Sequence, residues 1–140
     1  MSDTNCNPSG GTMFNPMMNK GDLSFSQLSR QNESRCRRWH PDGIEEWSVN
    51  DWLCAMGGEA GEALNAGKKH RRILSKMRQH GNVPVSESDA VDKIMEEIAD
   101  TVIYAQLCAA RLNRSLHVAI VKKFNEISER EGFPERLELE

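Results

Sequence analysis

The chain has no apolar run near the roughly 20 residues that a membrane-spanning helix needs, so no membrane partner is expected. Its N-terminus lacks the basic stretch and apolar run of a secretory leader. None of the four cysteines, Cys6, Cys36, Cys54 and Cys108, falls in a C-x-x-C pair. Reduced thiols in a cytoplasmic protein are the expectation. There is no basic excess either: 18 Lys and Arg against 21 Asp and Glu leave a net charge of -3. That excludes a general phosphate-backbone coat, and nucleic acid is not expected as a partner. No segment alternates as a strand should. No histidine stands three residues after a glutamate, which excludes the Glu-x-x-His pairs of a di-iron carboxylate bundle. Cys36 and His40 have a spacing that could seat zinc, but no second pair completes a tetrahedral site.

What remains is a 140-residue chain suited to one domain. Residues 1–20, rich in Asn, Ser, Gly, Pro and Met, read as a loose arm, and residues 21–140 read as one helical domain. Four helices are expected. The first runs from about Leu23 to Trp39 and stops before Pro41-Asp42-Gly43. The second opens at Ser48, with Asp51 as a capping-box partner, carries Trp52, Leu53, Met56, Ala60 and Leu64 on one face, and fades near Gly67. The third starts near Ser88 or Asp89 and reaches about Leu112. The fourth starts at Ser115, carries Leu116, Ile120, Phe124 and Ile127, and ends before Gly132. The fold class is all-α, an antiparallel four-helix bundle.

Two acidic pairs interrupt this pattern. Glu59 and Glu62 lie three apart on the second helix, and Glu97 and Asp100 lie three apart on the third. Each pair therefore shares one side of its helix. Glu59 sits only about 20° around the wheel from Trp52, at the edge of the apolar stripe. Asp100 opens a run, Thr101 to Ala110, that is apolar nearly all round, so a buried helix and a buried Asp100 are expected. Such a carboxylate needs a lysine or arginine, a proton or a metal to offset it. Four clustered carboxylates favour divalent cations, and an all-oxygen donor set suits Mg²⁺ or Mn²⁺. Cations that would balance a phosphate ligand include Lys93, one turn before Glu97. Lys68, Lys69, Arg71 and Arg72 follow the first pair. Lys123 borders the stripe of the fourth helix, whereas Asn125 points toward solvent or a second subunit. Trp39, Trp47 and Trp52 read as core residues ahead of stacking platforms.

The order Trp47-Ser48, Asp51-Trp52, Gly58-Glu59-Ala60-Gly61-Glu62-Ala63 and Lys68-Lys69, then Glu96-Glu97-Ile98-Ala99-Asp100-Thr101-Val102-Ile103-Tyr104, then Lys123-Phe124-Asn125-Glu126, resembles the MazG-like branch of the all-α nucleoside triphosphate pyrophosphohydrolases, relatives of the dimeric dUTPases. The resemblance spans roughly residues 22–137, and phage-encoded members look closest, which would place the protein in host cytoplasm. The 63–96 interval between the motifs is longer than is usual in that family, and the extra length is expected in a basic loop around Arg71 to Pro84. The resemblance implies hydrolysis of a (deoxy)nucleoside triphosphate between the α and β phosphates, giving a monophosphate and pyrophosphate. It implies two or more Mg²⁺ or Mn²⁺ ions held by Glu59, Glu62, Glu97 and Asp100, with Glu62 or Glu96 orienting water. Phosphate or sugar contacts would come from Lys69, Lys93, Lys123 and Asn125, and a base contact from Asn32. Assembly as a homodimer or homotetramer, with sites finished by a neighbouring chain, is implied as well. The reading from another class is a non-catalytic helical nucleotide-binding or assembly module.

Overall fold

The computed structural model describes residues 23–76 and 86–139. The expected N-terminal arm and most of the expected loop before Pro84 lie outside these residues. Among the described residues there are four α-helices and no strand. Helix α1 spans Phe25–Trp39, α2 Val49–Leu74, α3 Glu87–Arg111 and α4 Leu116–Glu131, with a 3-10 turn at Gly43–Glu45 between α1 and α2.

Each boundary has a local cause. The Ser24 hydroxyl accepts the Gln27 N–H and opens α1. The helix stops at His40, which is extended as a residue preceding proline must be. Helices α2 and α3 both open with a reciprocal capping box. The Ser48 side chain accepts from the Asp51 amide while Asp51 accepts from the Ser48 amide, and Ser86 and Asp89 repeat the arrangement. The start of α3 is thus two or three residues earlier than expected, because Ser86 has the acid at the required offset. At Asn113, φ is +52°, and the Arg114 amide bonds back to the Ala109 carbonyl, closing α3. Gly132, at φ +72°, ends α4 with the Phe133 amide on the Ser128 carbonyl.

Helix α2 does not fade at Gly67 but continues to Leu74, so Lys68, Lys69, Arg71 and Arg72 are helical rather than part of a loop. A mid-helix glycine costs only about 1 kcal/mol relative to alanine. The long antiparallel face shared with α3, the most extensive helix pairing in the molecule, offsets it. The register of this pairing is regular. Trp52 meets Tyr104, with rings 6.3 Å apart. Glu59 and Glu62 meet Glu97. Beyond them, Ala66 and Ala90 are both buried, and His70 lies 3.8 Å from Glu87.

Helix α1 lies against α3. Its buried Asn32 donates to the Ile103 carbonyl (2.9 Å) and to the Gln106 side chain (2.8 Å). The core is small: Cys36, Trp52, Leu107 and Cys108, ringed by Ile44, Trp47, Met56 and Tyr104. The Trp52 indole donates to the Ile44 carbonyl, and Arg111 bridges to the Trp47 carbonyl and to Glu45, fixing the 3-10 segment on α3. Trp52 is thus a core residue as expected, whereas Trp39 is exposed under the Arg35 guanidinium.

Helix α4 meets α3 at the corner that joins them and packs little elsewhere. As a result Ile120, Phe124 and Ile127 are exposed. So are Val91, Met95, Ile98 and Val102, spaced along α3 at heptad-like intervals. The expectation that the run after Asp100 is buried all round is therefore corrected. α2 and α1 cover two sides of α3, and a third side stays uncovered in the single chain. No described helix is long and apolar enough to cross a membrane.

Candidate functional site

The α2–α3 register brings Glu59, Glu62 and Glu97 together, each offering a carboxylate oxygen within 4.8 Å of the others. Their environments differ. Glu97 is buried at 3% exposure, Glu59 is half-buried and Glu62 is exposed. The expectation of a buried Asp100 is corrected here: Asp100 is exposed, and the buried acid of its pair is Glu97. The cause is angular. Glu97 turns toward α2, and a three-residue step carries Asp100 about 60° round the helix, to the rim of the interface. Asp100 is outside the three-carboxylate group but close enough for its charge to act on Glu59.

Burial pushes the Glu59 carboxyl above the ordinary glutamate range, and the charges of Asp100, Glu62 and Glu97 push it further. A hydrogen bond with Glu97 also favours the protonated form. Glu97 is offset differently. The Lys93 ammonium lies 2.7 Å from it and 3.1 Å from Glu96. Hydrogen bonding to Glu97 and Glu96 holds Lys93 well above the ordinary lysine range. Of the three compensators open to a buried acid, the chain itself thus supplies a lysine for Glu97 and favours a proton for Glu59. A divalent cation fits the same donors, since they are all carboxylate oxygens, carry excess negative charge and converge from two rigid helices.

Beside the carboxylates, a partly open recess of about 120 Å³ is lined by Asn32, Trp39, His40, Trp47, Trp52, Asp100 and Tyr104 among others. Its aromatic wall is tightly built. The Trp47 and Trp52 rings are 4.6 Å apart, and His40 packs edge-on to both at 4.9 and 5.5 Å. Asn32 reaches this wall, with its amide tied to α3 and its oxygen accepting from Arg35 (3.0 Å). The recess is the part of the site that sequence reasoning missed. Its available signal was the His40, Trp47, Trp52 series, together with Tyr104 one turn after Asp100.

The other candidate residues are spread out. Lys69 is half-buried on α2, about two turns beyond Glu62. Lys123 is exposed on α4 and pairs with Glu126 at 3.0 Å. Asn125 uses its amide on the C-terminal segment, donating to the Leu137 carbonyl (2.9 Å) and accepting the Leu137 N–H (2.8 Å). Among the described residues Lys93 alone of the candidate cations pairs with the acidic group. Among the described residues Cys36 and His40 join no metal-like cluster, and Cys36 is a core thiol. Comparisons with protein-family models, with curated proteins and with solved structures give no match.

Proposed function

We propose that this chain is a metal-dependent nucleoside triphosphate pyrophosphohydrolase of the MazG-like, all-α type. It would cut a (deoxy)nucleoside triphosphate between the α and β phosphates to leave a monophosphate and pyrophosphate. The observation that carries the reading is the convergence of Glu59, Glu62 and Glu97 from two facing helices onto one point, with the Glu59 carboxyl raised first by burial and then by the neighbouring acids. Those three would hold Mg²⁺ or Mn²⁺, with Asp100 at the rim completing the set toward the substrate. When bound, the metals would supply neutralisation of phosphate charge and activation of water.

The remaining roles fall to the chain's own groups. Glu96, exposed and one residue from Glu97, would orient the attacking water as a hydrogen-bond acceptor. Lys93 would release one of its two carboxylate partners to meet a phosphate oxygen, stabilising the charge that builds on the leaving pyrophosphate. Trp39, the exposed ring lining the aromatic recess, would offer a nucleobase a flat surface to stack on. His40, whose Nδ1 pairs with Glu46 at 3.1 Å, would offer its other ring nitrogen, whereas Asn32, bonded to Ile103, Gln106 and Arg35, would shape the recess instead of contacting the base. Lys123 and Asn125 sit on α4, away from the acidic group in the same chain. Lys123 would therefore meet substrate only in a second copy, and Asn125, whose amide holds Leu137, would have to release that segment to do so. The proposed homodimer or homotetramer would bury the faces of α3 and α4 that the single chain leaves uncovered.

Incubation with a panel of nucleoside and deoxynucleoside triphosphates and Mg²⁺, with pyrophosphate measured, tests the reading. Pyrophosphate release that stops on chelation is expected. Tight nucleotide binding with no turnover for any triphosphate would replace it with a non-catalytic binding module.

A further inference from the structure

At the far end of α3, about 13 Å along the helix from Glu97, a separate cavity of about 470 Å³ opens where the starts of α1 and α4 meet the end of α3. Its size is that of an ordinary small-molecule site. Arg30 of α1, Arg114 of the α3–α4 corner and His117 of α4 line it, against a single acid, Glu33. The Glu33 carboxylate is already engaged, accepting from the Ser29 hydroxyl (2.8 Å) and the Gln106 amide (3.3 Å). Arg114 donates once, to the Asn113 carbonyl, so most of its guanidinium stays available. Arg30 makes no hydrogen bond or ion pair among the described residues.

The helix ends add to this charge. α2 and α3 carry acids in their first turns, but α1 and α4, whose first residues line the cavity, carry none. The Ser115 hydroxyl at the start of α4 caps no amide and bonds to the His117 ring at 2.8 Å. Two helix N-termini therefore face the cavity with their partial positive charge unopposed from within their own first turns. Phe25 and Leu116 supply an apolar wall beside the arginines.

We propose that this cavity binds a phosphate-bearing small molecule, with the phosphate between Arg30 and Arg114 and the organic part against Phe25 and Leu116. The site is distinct from the acidic group and independent of the hydrolysis reading. Arginine is the side chain best shaped for phosphate, and no metal is needed here, whereas bare carboxylates repel phosphate.

That difference makes the test clean. Inorganic phosphate, pyrophosphate and a nucleoside monophosphate are titrated into the full chain by calorimetry, with EDTA present and at low salt. Saturable binding by at least one of them is expected. Arg30→Ala and Arg114→Ala, both at exposed positions, should each weaken it on the order of tenfold, with an unchanged helical circular dichroism signal. Glu59→Gln should leave it intact. No saturable binding by any probe in EDTA overturns the proposal. So does binding that survives in the double arginine variant, or binding that disappears in Glu59→Gln. Failure of pyrophosphate release in the turnover assay would leave all of these outcomes unaffected.

Discussion

Glu59→Gln should make the metal-free protein more stable and the metal-loaded protein inactive. Three carboxylates within 4.8 Å of one another repel by about 3.5 kcal/mol per pair at an effective dielectric of about 20. Lys93 offsets much of the Glu97 charge and Glu62 is solvent-screened, so burial and the remaining repulsion together leave a penalty of about 1–2 kcal/mol on an ionised Glu59. Glutamine removes that charge and keeps the size and a donor for Glu97. The gain in chelated, mildly alkaline buffer should raise the melting temperature by about 3–8 °C. The pH dependence has a definite sign. The folded-state pKa of Glu59 is raised, so its contribution is favourable below the unfolded glutamate range and is lost as pH rises through the raised value. The advantage of the variant should therefore vanish in acid, where Glu59 is protonated anyway. Magnesium should reverse the order, since a ligand at about a hundred times its dissociation constant stabilises by about 2.7 kcal/mol and the variant has lost a donor. Thermal melts followed by circular dichroism at several pH values, with EDTA or Mg²⁺, read all of this. A variant that melts at or below the parent in EDTA at alkaline pH would refute the penalty of burying and crowding this carboxylate.

Asp100→Asn, at an exposed rim position, should cut turnover on the order of a hundredfold or more while the melting curve stays put, as a steady-state pyrophosphate assay beside a melt will show. Trp52→Ala should cost about 3–5 kcal/mol, because the side chain is 2% exposed and its loss also strips the Ile44 carbonyl of its donor; denaturant titration measures it. Ser86→Ala should cost about 1 kcal/mol by undoing the capping box of α3, with no effect on the turnover rate of the folded fraction. Asn125→Ala should free residues 133–139, seen as faster amide exchange at Leu137, whose N–H it now holds.

The helical class and three of the four helix starts were legible because they rest on local signals: Ser24 and Ser48 as capping side chains, the apolar periodicity that begins after Ser115, whose own hydroxyl caps no amide, and Gly132 at the end of α4. The end of α2 was not, because Gly67 is a stop signal only where no partner helix pays its cost, and α3 does so here. The acidic pairs were legible as pairs, but which acid would be buried was not. Periodicity ranks the faces of one helix, whereas burial depends on where the second helix lies, and α2 lies over Glu97 rather than Asp100. The aromatic recess was hidden for the same reason. His40 and Trp47 belong to the segment after α1, and their packing on Trp52 is fixed by Arg111, a residue far along the chain.

The ladder that pairs Trp52 with Tyr104, the glutamates with one another, and His70 with Glu87 implies an asymmetry in how sequence change is tolerated. Residues added between the two long helices leave every rung in place, which is compatible with the wide interval between the acidic pairs. A single residue deleted inside α2 between Trp52 and Glu59 would swing the downstream side chains by about 100° and aim the carboxylates away from their counterparts.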